Sequence, residues 1–432
     1  MSDTVLSTTF STSSYWWESA PPEAALEPLP EKTDVLIVGS GFAGLSAALE
    51  LARNGIDVTV IDKDMLGFGA SSRSHGMVSS GQKLVLTGAF KAADDGLVSK
   101  VLADSQASFD YLKNLVAQEN LDVDLALTGR FFGAHTKGHY KRLVRNGETL
   151  AKYTGVTVHN VSKAEQVGLI GSTAYEGGIL VDDYGGLHPA KLNAELRRLA
   201  RAAGAKLRSH AGLISRRKTA SGEEIAVTAR GTLRATRILV ATNGYTGAAT
   251  PELQRRTVPV QAYLIASEPI PRDLMDEINP GRRMIADSKR NLFAMRPSPD
   301  GTRVIFGNRP GYFEVPERDA APILHEKMCS IWPQLRDVKI SHCWTGNVCM
   351  TYDKMPHMGN NDDLLYALGC NGNGVALMTY MGYQSARKVI EDKARICAFD
   401  DLGFPSIPLY TGKPWFVPIV GAWYGLRDKL DA

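Results

Sequence analysis

Gly39, Gly41, Gly44 and Asp62 define the first chemistry open to this chain. They lie in DVLIVGSGFAGLSAALELARNGIDVTVID, residues 34–62. In G-x-G-x-x-G the first glycine permits a tight turn and the second lets backbone approach a pyrophosphate. The third lets a helix lie close on a strand. Asp62 follows Gly44 by eighteen residues, where an acid suits a ribose hydroxyl pair. Phe42 and Ala43 complete this cradle for a dinucleotide. These residues alone leave nicotinamide and flavin dinucleotides both open.

The elements needed to hold them are legible. Residues 34–39 form an apolar run rich in Val and Ile, as a buried parallel strand does. The spacing of Leu45, Ala48, Leu49 and Ala52 predicts a helix, ended by Asn54 and Gly55. Residues 57–61 predict the next strand. Further on, Pro189 opens a helix with Leu192, Leu196, Leu199 and Ala203 on its buried stripe, closed by Gly204. RILVAT (237–242) and LLYALG (364–369) are further buried strands, the latter feeding a glycine-rich turn and a long helix. Residues 93–120 read as helix, 121–165 as short strands and turns, and 255–310 as several strands separated by turns.

The pieces 33–92, 166–250 and 338–395 group as a discontinuous nucleotide-binding domain. Residues 93–165 and 251–337 group as a second, mostly antiparallel domain. Residues 1–32 form a polar, Pro-rich leader whose Tyr15, Trp16 and Trp17 should pin it to the body. Residues 396–432 read as a packed strap. The expected class is α/β: a Rossmann-like, glutathione-reductase-type domain interleaved with an α+β substrate domain.

Composition bounds the function. The chain has 432 residues, 44% hydrophobic and 22% charged, with a formal net charge of +3. That charge argues for neither nucleic acid nor an anionic membrane. Five cysteines without a C-x-x-C pair indicate no redox disulfide, and the nine histidines lack zinc spacing, so no metal is expected. No apolar segment approaches membrane-spanning length and the first residues do not form a signal peptide, so a cytoplasmic location is expected.

The C-terminal motifs separate the two cofactors. CWTGNVCMTYDKMPHMG (343–359) followed by LLYALGCNGNGVALMTYMG (364–382) resembles the paired motifs of the D-amino-acid oxidase/glycine oxidase superfamily of FAD enzymes. The resemblance extends through GFGASSRSHG (67–76) and ILVATNGYTG (238–247), and is strongest to the gamma-glutamylputrescine oxidase branch. It implies FAD contacts from Lys63, Ala70, Ser71, Ser72, Arg73, Ser74, His75, Leu213, Thr242, Asn243 and Gly244. It implies further contacts from Gly346, Asp353, Gly372, Asn373, Gly374 and Val375. Some relatives attach FAD through a cysteine; Gly346 stands at that position and Cys349 lies three residues later, so FAD is expected to be non-covalent.

The implied activity is oxidation of a C–N bond in a small amino-acid-like amine. Hydride would pass to flavin N5, the imine would hydrolyse, and O2 would reoxidise the flavin to give H2O2. Secondary amines and N-substituted glycines are favoured, among them iminodiacetate, sarcosine-like molecules and gamma-glutamylputrescine. A dehydrogenase passing electrons to a quinone or carrier is the alternative, and a non-catalytic FAD-binding protein is the alternative from another class. An NAD(P)H-using disulfide reductase would need a second G-x-G-x-x-G and a cysteine pair, which the sequence lacks. Arg296 is the first candidate to clamp a substrate anion, since a guanidinium grips a carboxylate in a planar fork. Arg309 is the second, and Tyr263 could shape the pocket. His75, if cationic, would favour reaction with oxygen. Oligomeric state stays open.

Overall fold

The computed structural model describes residues 4–81, 84–85, 95–361, 364–393, 395–400 and 402–430. The domain boundary expected at 92/93 lies outside the described residues.

The dinucleotide unit forms as its pattern dictates. The strand Lys32–Val38 leads into the helix Phe42–Arg53 and then the strand Val58–Ile61. Asn54 is the helix C-cap and Gly55 follows at φ +75°, a left-handed conformation that glycine adopts without steric cost. Lys32–Val38 pairs in parallel with Val58–Ile61 on one edge and with the strand Gly231–Val240 on the other. Lys206–Arg208 and Leu364–Leu368 extend this parallel core. An antiparallel meander, Leu213–Lys218 and Glu224–Thr228, continues from Gly231–Val240. The helices Phe42–Arg53, Pro189–Ala202 and Gly374–Glu391 pack on this eight-stranded sheet.

A second sheet has nine strands and is mostly antiparallel. From one edge it runs Leu6–Ser11, Ile340–Met350, Val258–Ser267, Val304–Asn308, Ala294–Pro297, Met284–Asp287, Arg130–Gly133, Gly178–Val181 and Val158–Val161. Its period-2 alternation separates two faces. Tyr263, Ile265, Met295 and Phe306 pack with Leu324 and Met328 of the helix Glu317–Cys329. Leu264, Ala266, Ile305 and Trp344 pack with Trp16 and Ala190 on the opposite face, which meets the nucleotide-binding half.

Several segments differ from the sequence reading. Residues 340–350, grouped there with the nucleotide pieces, form the second strand of the nine-stranded sheet, because their alternation pairs with Val258–Ser267 along its whole length. Gly178–Val181 belongs to that sheet too. The leader contributes the edge strand Leu6–Ser11. Residues 121–165, read as strands and turns, contain the eighteen-residue helix Lys137–Thr154. The C-terminal strap contains the helix Val417–Leu430.

Candidate active site

The glycine turn is built as its spacing requires. Gly39 sits at φ +110°, and a Cβ there would lie 2.9 Å from the main-chain oxygen of Ala241. A Cβ on Gly44 would lie 1.9 Å from the oxygen of Gly39, so only glycine lets this helix rest against its strand. Gly41 is the N-cap and supplies no side-chain cap. Phe42 and Ala43 open the helix and are buried; the Phe42 N–H donates to Ser71 Oγ at 3.0 Å.

Asp62 stands at the far end of this unit. Its Oδ2 accepts from the Ser40 N–H at 2.8 Å and the Ser40 hydroxyl at 2.6 Å, and its Oδ1 accepts from the Asp64 N–H at 3.1 Å. Burial pushes this carboxyl above its ordinary range, and the Ser40 bonds oppose that rise. Ser40, between the first two glycines, was missed by the sequence reading; its small polar type inside the motif was the available signal. Lys63 holds its ammonium over the Tyr245 ring at 5.2 Å and packs against Gly212, which brings Leu213 to the Asp62 end.

Residues 69–75 connect three walls of the cleft. Ser71 touches the start of the dinucleotide helix. Ala70 and Arg73 lie against Gly346, where an added Cβ would be 3.9 and 3.7 Å from them. The His75 ring lies against Gly307, where an added Cβ would come within 2.4 Å of it. Four successive residues here are held from outside the loop. Ser72 Oγ accepts from the Trp17 indole at 2.9 Å, and the oxygen of Arg73 from the Trp344 indole at 2.8 Å. The oxygen of Ser74 accepts from the Trp16 indole at 2.9 Å, and that of His75 from Arg296 at 3.0 Å. Arg73 itself is stacked against Trp17 and Phe68, with its guanidinium carbon 4.5 and 4.1 Å from the two ring centres.

The opposite wall is the start of the helix Gly374–Glu391. Asn373 is its N-cap residue but makes no capping bond; instead it accepts from the Ser79 hydroxyl at 3.1 Å. The first N–H groups of this helix are thereby left for another acceptor. Gly372 precedes it at φ +81°, and Val375 is buried. Asn243 at φ +45° braces this turn, its Oδ1 accepting from the Gly369 N–H at 3.0 Å. Thr242 bonds Thr246, and Gly244 lies against Asn347. Asp353 closes its own turn: Oδ1 accepts from the Met355 N–H at 3.1 Å and meets His357 Nε2 at 3.0 Å.

The candidate substrate residues fare differently. Arg296 is buried, and its Nη1 and Nε donate to the oxygens of His75, Leu187 and Pro297 at 3.0, 2.7 and 3.0 Å. These bonds brace the His75 loop through Nε and Nη1. Tyr263 points to the face away from the nucleotide half; its hydroxyl accepts from the Val315 N–H at 3.0 Å and lies 2.9 Å from the Val315 oxygen. Core packing and loop anchoring account for these contacts. Favouring reaction with oxygen would need His75 as a cation. Burial, then the charges of Arg296 and Arg130, push its pKa down to about 3, so the imidazole is neutral.

Arg309 follows the strand that carries Gly307. Its Nε is buried without a hydrogen-bond partner among the described residues, and Nη2 reaches the Tyr312 oxygen only at 3.4 Å. Burial lowers its pKa. Arg130, unmarked by the sequence reading, shares with Phe132 the face toward the nucleotide half, and its guanidinium lies 4.7 Å from that ring. Burial lowers it to about 10. A cation inside the apolar strand RFFG was its sequence signal. His188 caps the helix Pro189–Ala202, accepting the Lys191 N–H at 3.1 Å. Among the described residues no group of His, Cys, Asp and Glu could hold a metal ion, and no helix is long and apolar enough to cross a membrane.

The family profile described as DAO, FAD dependent oxidoreductase, matches residues 34–387. The chain belongs to this family. As a member of that family it is an FAD-dependent oxidoreductase. A probable oxidoreductase OrdL of Rhizobium meliloti is 29% identical over 96% of this chain and 97% of its own length. The gamma-glutamylputrescine oxidoreductase of Escherichia coli is 28% identical over 97% of this chain and 99% of its own. The crystal structure of glycine oxidase from Geobacillus kaustophilus superposes with a TM-score of 0.71 at 22% identity, covering 88% of this chain and all of that one. The open glycine cradle, the acid at the strand end and the uncapped helix start fit FAD, the family's cofactor.

Proposed function

We propose that this protein oxidises a C–N bond in a small amine that carries a carboxylate, with O2 as electron acceptor and H2O2 as product. Secondary amines and N-substituted glycines, including iminodiacetate, sarcosine-like molecules and gamma-glutamylputrescine, are the favoured class. FAD, when bound, supplies the two-electron acceptor. The chain supplies binding, orientation and electrostatics.

The observation that carries this reading is the electrostatics around His75. Burial, Arg296 and Arg130 all oppose a positive charge on it. Burial, the largest of these causes, disfavours a charge of either sign; the Arg296 and Arg130 guanidiniums are what would favour an anion on the ligand. We assign the carboxylate to Arg309, whose Nε is buried with no hydrogen-bond partner among the described residues. Neutral His75 offers a hydrogen bond without donating a proton at working pH. The amine substrate must therefore arrive neutral, or lose its proton to solvent. Gly39, Gly41 and Gly44 hold the pyrophosphate in this reading, Asp62 the ribose, and the Gly374 helix start the flavin carbonyl edge. The bond to FAD is non-covalent, since Gly346 has no side chain to form one and burial holds the Cys349 thiol protonated.

The test is anaerobic titration of the purified yellow protein with a panel of amines, followed by peroxide assay in air. Bleaching by carboxylated amines, but not by matched amines lacking the carboxylate, is the expected result. Bleaching without peroxide would assign the electrons to a quinone or carrier. No bleaching by any amine would overturn the reading.

A further inference from the structure

The N-terminal leader docks on residues 70–75, the loop for which the family resemblance implies FAD contacts. We infer that the leader is a positioning element for FAD: docking of Trp16 and Trp17 and binding of FAD reinforce one another through residues 69–75.

The geometry behind this is specific. Trp16 is fully buried, packed against Leu264, Ile305 and Trp344, and its indole N–H donates to the oxygen of Ser74 at 2.9 Å. The Trp17 indole donates to Ser72 Oγ at 2.9 Å and its ring carries the Arg73 guanidinium. Between these two bonds Arg73 donates from Nη1 to the oxygen of Thr345 at 3.1 Å, beside Gly346. On its other side the same loop holds the first N–H of the dinucleotide helix through Ser71. The leader is fixed independently at its start by the strand Leu6–Ser11 and at Glu18, which pairs with His342 at 3.2 Å. The two indole bonds are thus its link to the cofactor wall and not its sole attachment.

Two ligands of one loop are linked in both directions: whatever orders the loop for one lowers the ordering cost for the other. FAD should therefore tighten the leader, and loss of the leader bonds should loosen FAD. A purely structural leader would stabilise the fold and leave FAD affinity alone.

The experiment uses the full chain. Trp16→Phe and Trp17→Phe keep an aromatic ring and remove the indole N–H. FAD affinity of the apoprotein is read by quenching of flavin fluorescence, and leader docking by chymotrypsin cleavage at Phe10 and Tyr15 with and without FAD. We expect FAD to bind about 5- to 50-fold more weakly in each variant, in line with the loss of one buried hydrogen bond. We also expect leader cleavage in the wild type to slow several-fold when FAD is added. Ser72→Ala, alone and combined with Trp17→Phe, locates the path: the double variant should bind FAD no more weakly than the worse single. Variants that melt earlier but bind FAD within twofold of wild type, with cleavage indifferent to FAD, would overturn the proposal.

Discussion

Arg296 Nη1 donates to the main-chain oxygen of His75 at 3.0 Å, and its charge helps burial keep the neighbouring imidazole neutral. One side chain thus fixes the position of a residue beside the site and adds to burial in disfavouring its charged form. In a dry interior a guanidinium bonded to three carbonyls is a cation held in one place.

His75 gives the first prediction, on pH. Its folded value is about 3 against 6.5 for the free group, so folding disfavours its charged form. The sign follows: the neutral group's contribution to stability is whole above about pH 6.5 and is lost as pH falls toward 3. Urea midpoints should therefore drop more between pH 7 and pH 4 in wild type than in His75→Gln. Between pH 6 and 9 the rate profile should show no ionisation that this substitution abolishes.

Arg296→Met should destabilise by about 2–4 kcal/mol, since it strands the oxygens of His75 and Leu187. Thermal denaturation measures this. The effect should exceed that of Tyr263→Phe, which loses its links to Val315 at about 1 kcal/mol and leaves the substrate KM unchanged.

Gly44→Ala and Gly55→Ala form a matched pair. The first puts a methyl 1.9 Å from the Gly39 oxygen and should raise the FAD Kd more than about 100-fold, beyond the 1–3 kcal/mol typical of overpacking. The second meets nothing within 4 Å, and its cost is the left-handed backbone at φ +75° alone. That is about 1 kcal/mol of stability, with FAD affinity unchanged. Isothermal titration of the apoproteins distinguishes them.

Arg309→Met should raise KM for carboxylated amines about 10- to 100-fold, as expected on losing a charged hydrogen bond of 1.5–3 kcal/mol. For an amine without a carboxylate KM should change little. Steady-state kinetics on both substrates checks it, and equal effects on the two would remove Arg309 from carboxylate binding.

The dinucleotide unit was legible because each of its residues is constrained by backbone. Gly39 needs its φ, Gly44 needs its missing Cβ, and the apolar periods give strand and helix. The helix Lys137–Thr154 was not legible, because its buried stripe is sparse: His139, Leu143, Gly147 and Leu150. Its termini did announce themselves, with Thr136 accepting the His139 N–H and Gly155 at φ +72°. The helix Val417–Leu430 reverses the usual pattern. Gly425 faces Tyr312, while Ile419, Trp423 and Leu426 are exposed, so a period argument points its apolar side the wrong way. Arg296 and Tyr263 show a different limit. Residue type says what a side chain can hold; only tertiary contacts say what it already holds.

The backbone crosses repeatedly between the two sheets. Strands at 6–11, 130–181 and 258–350 lie in one, and strands at 32–61, 206–240 and 357–368 in the other. Each segment is stranded without those before and after it in sequence. Neither half can be excised as one contiguous fragment.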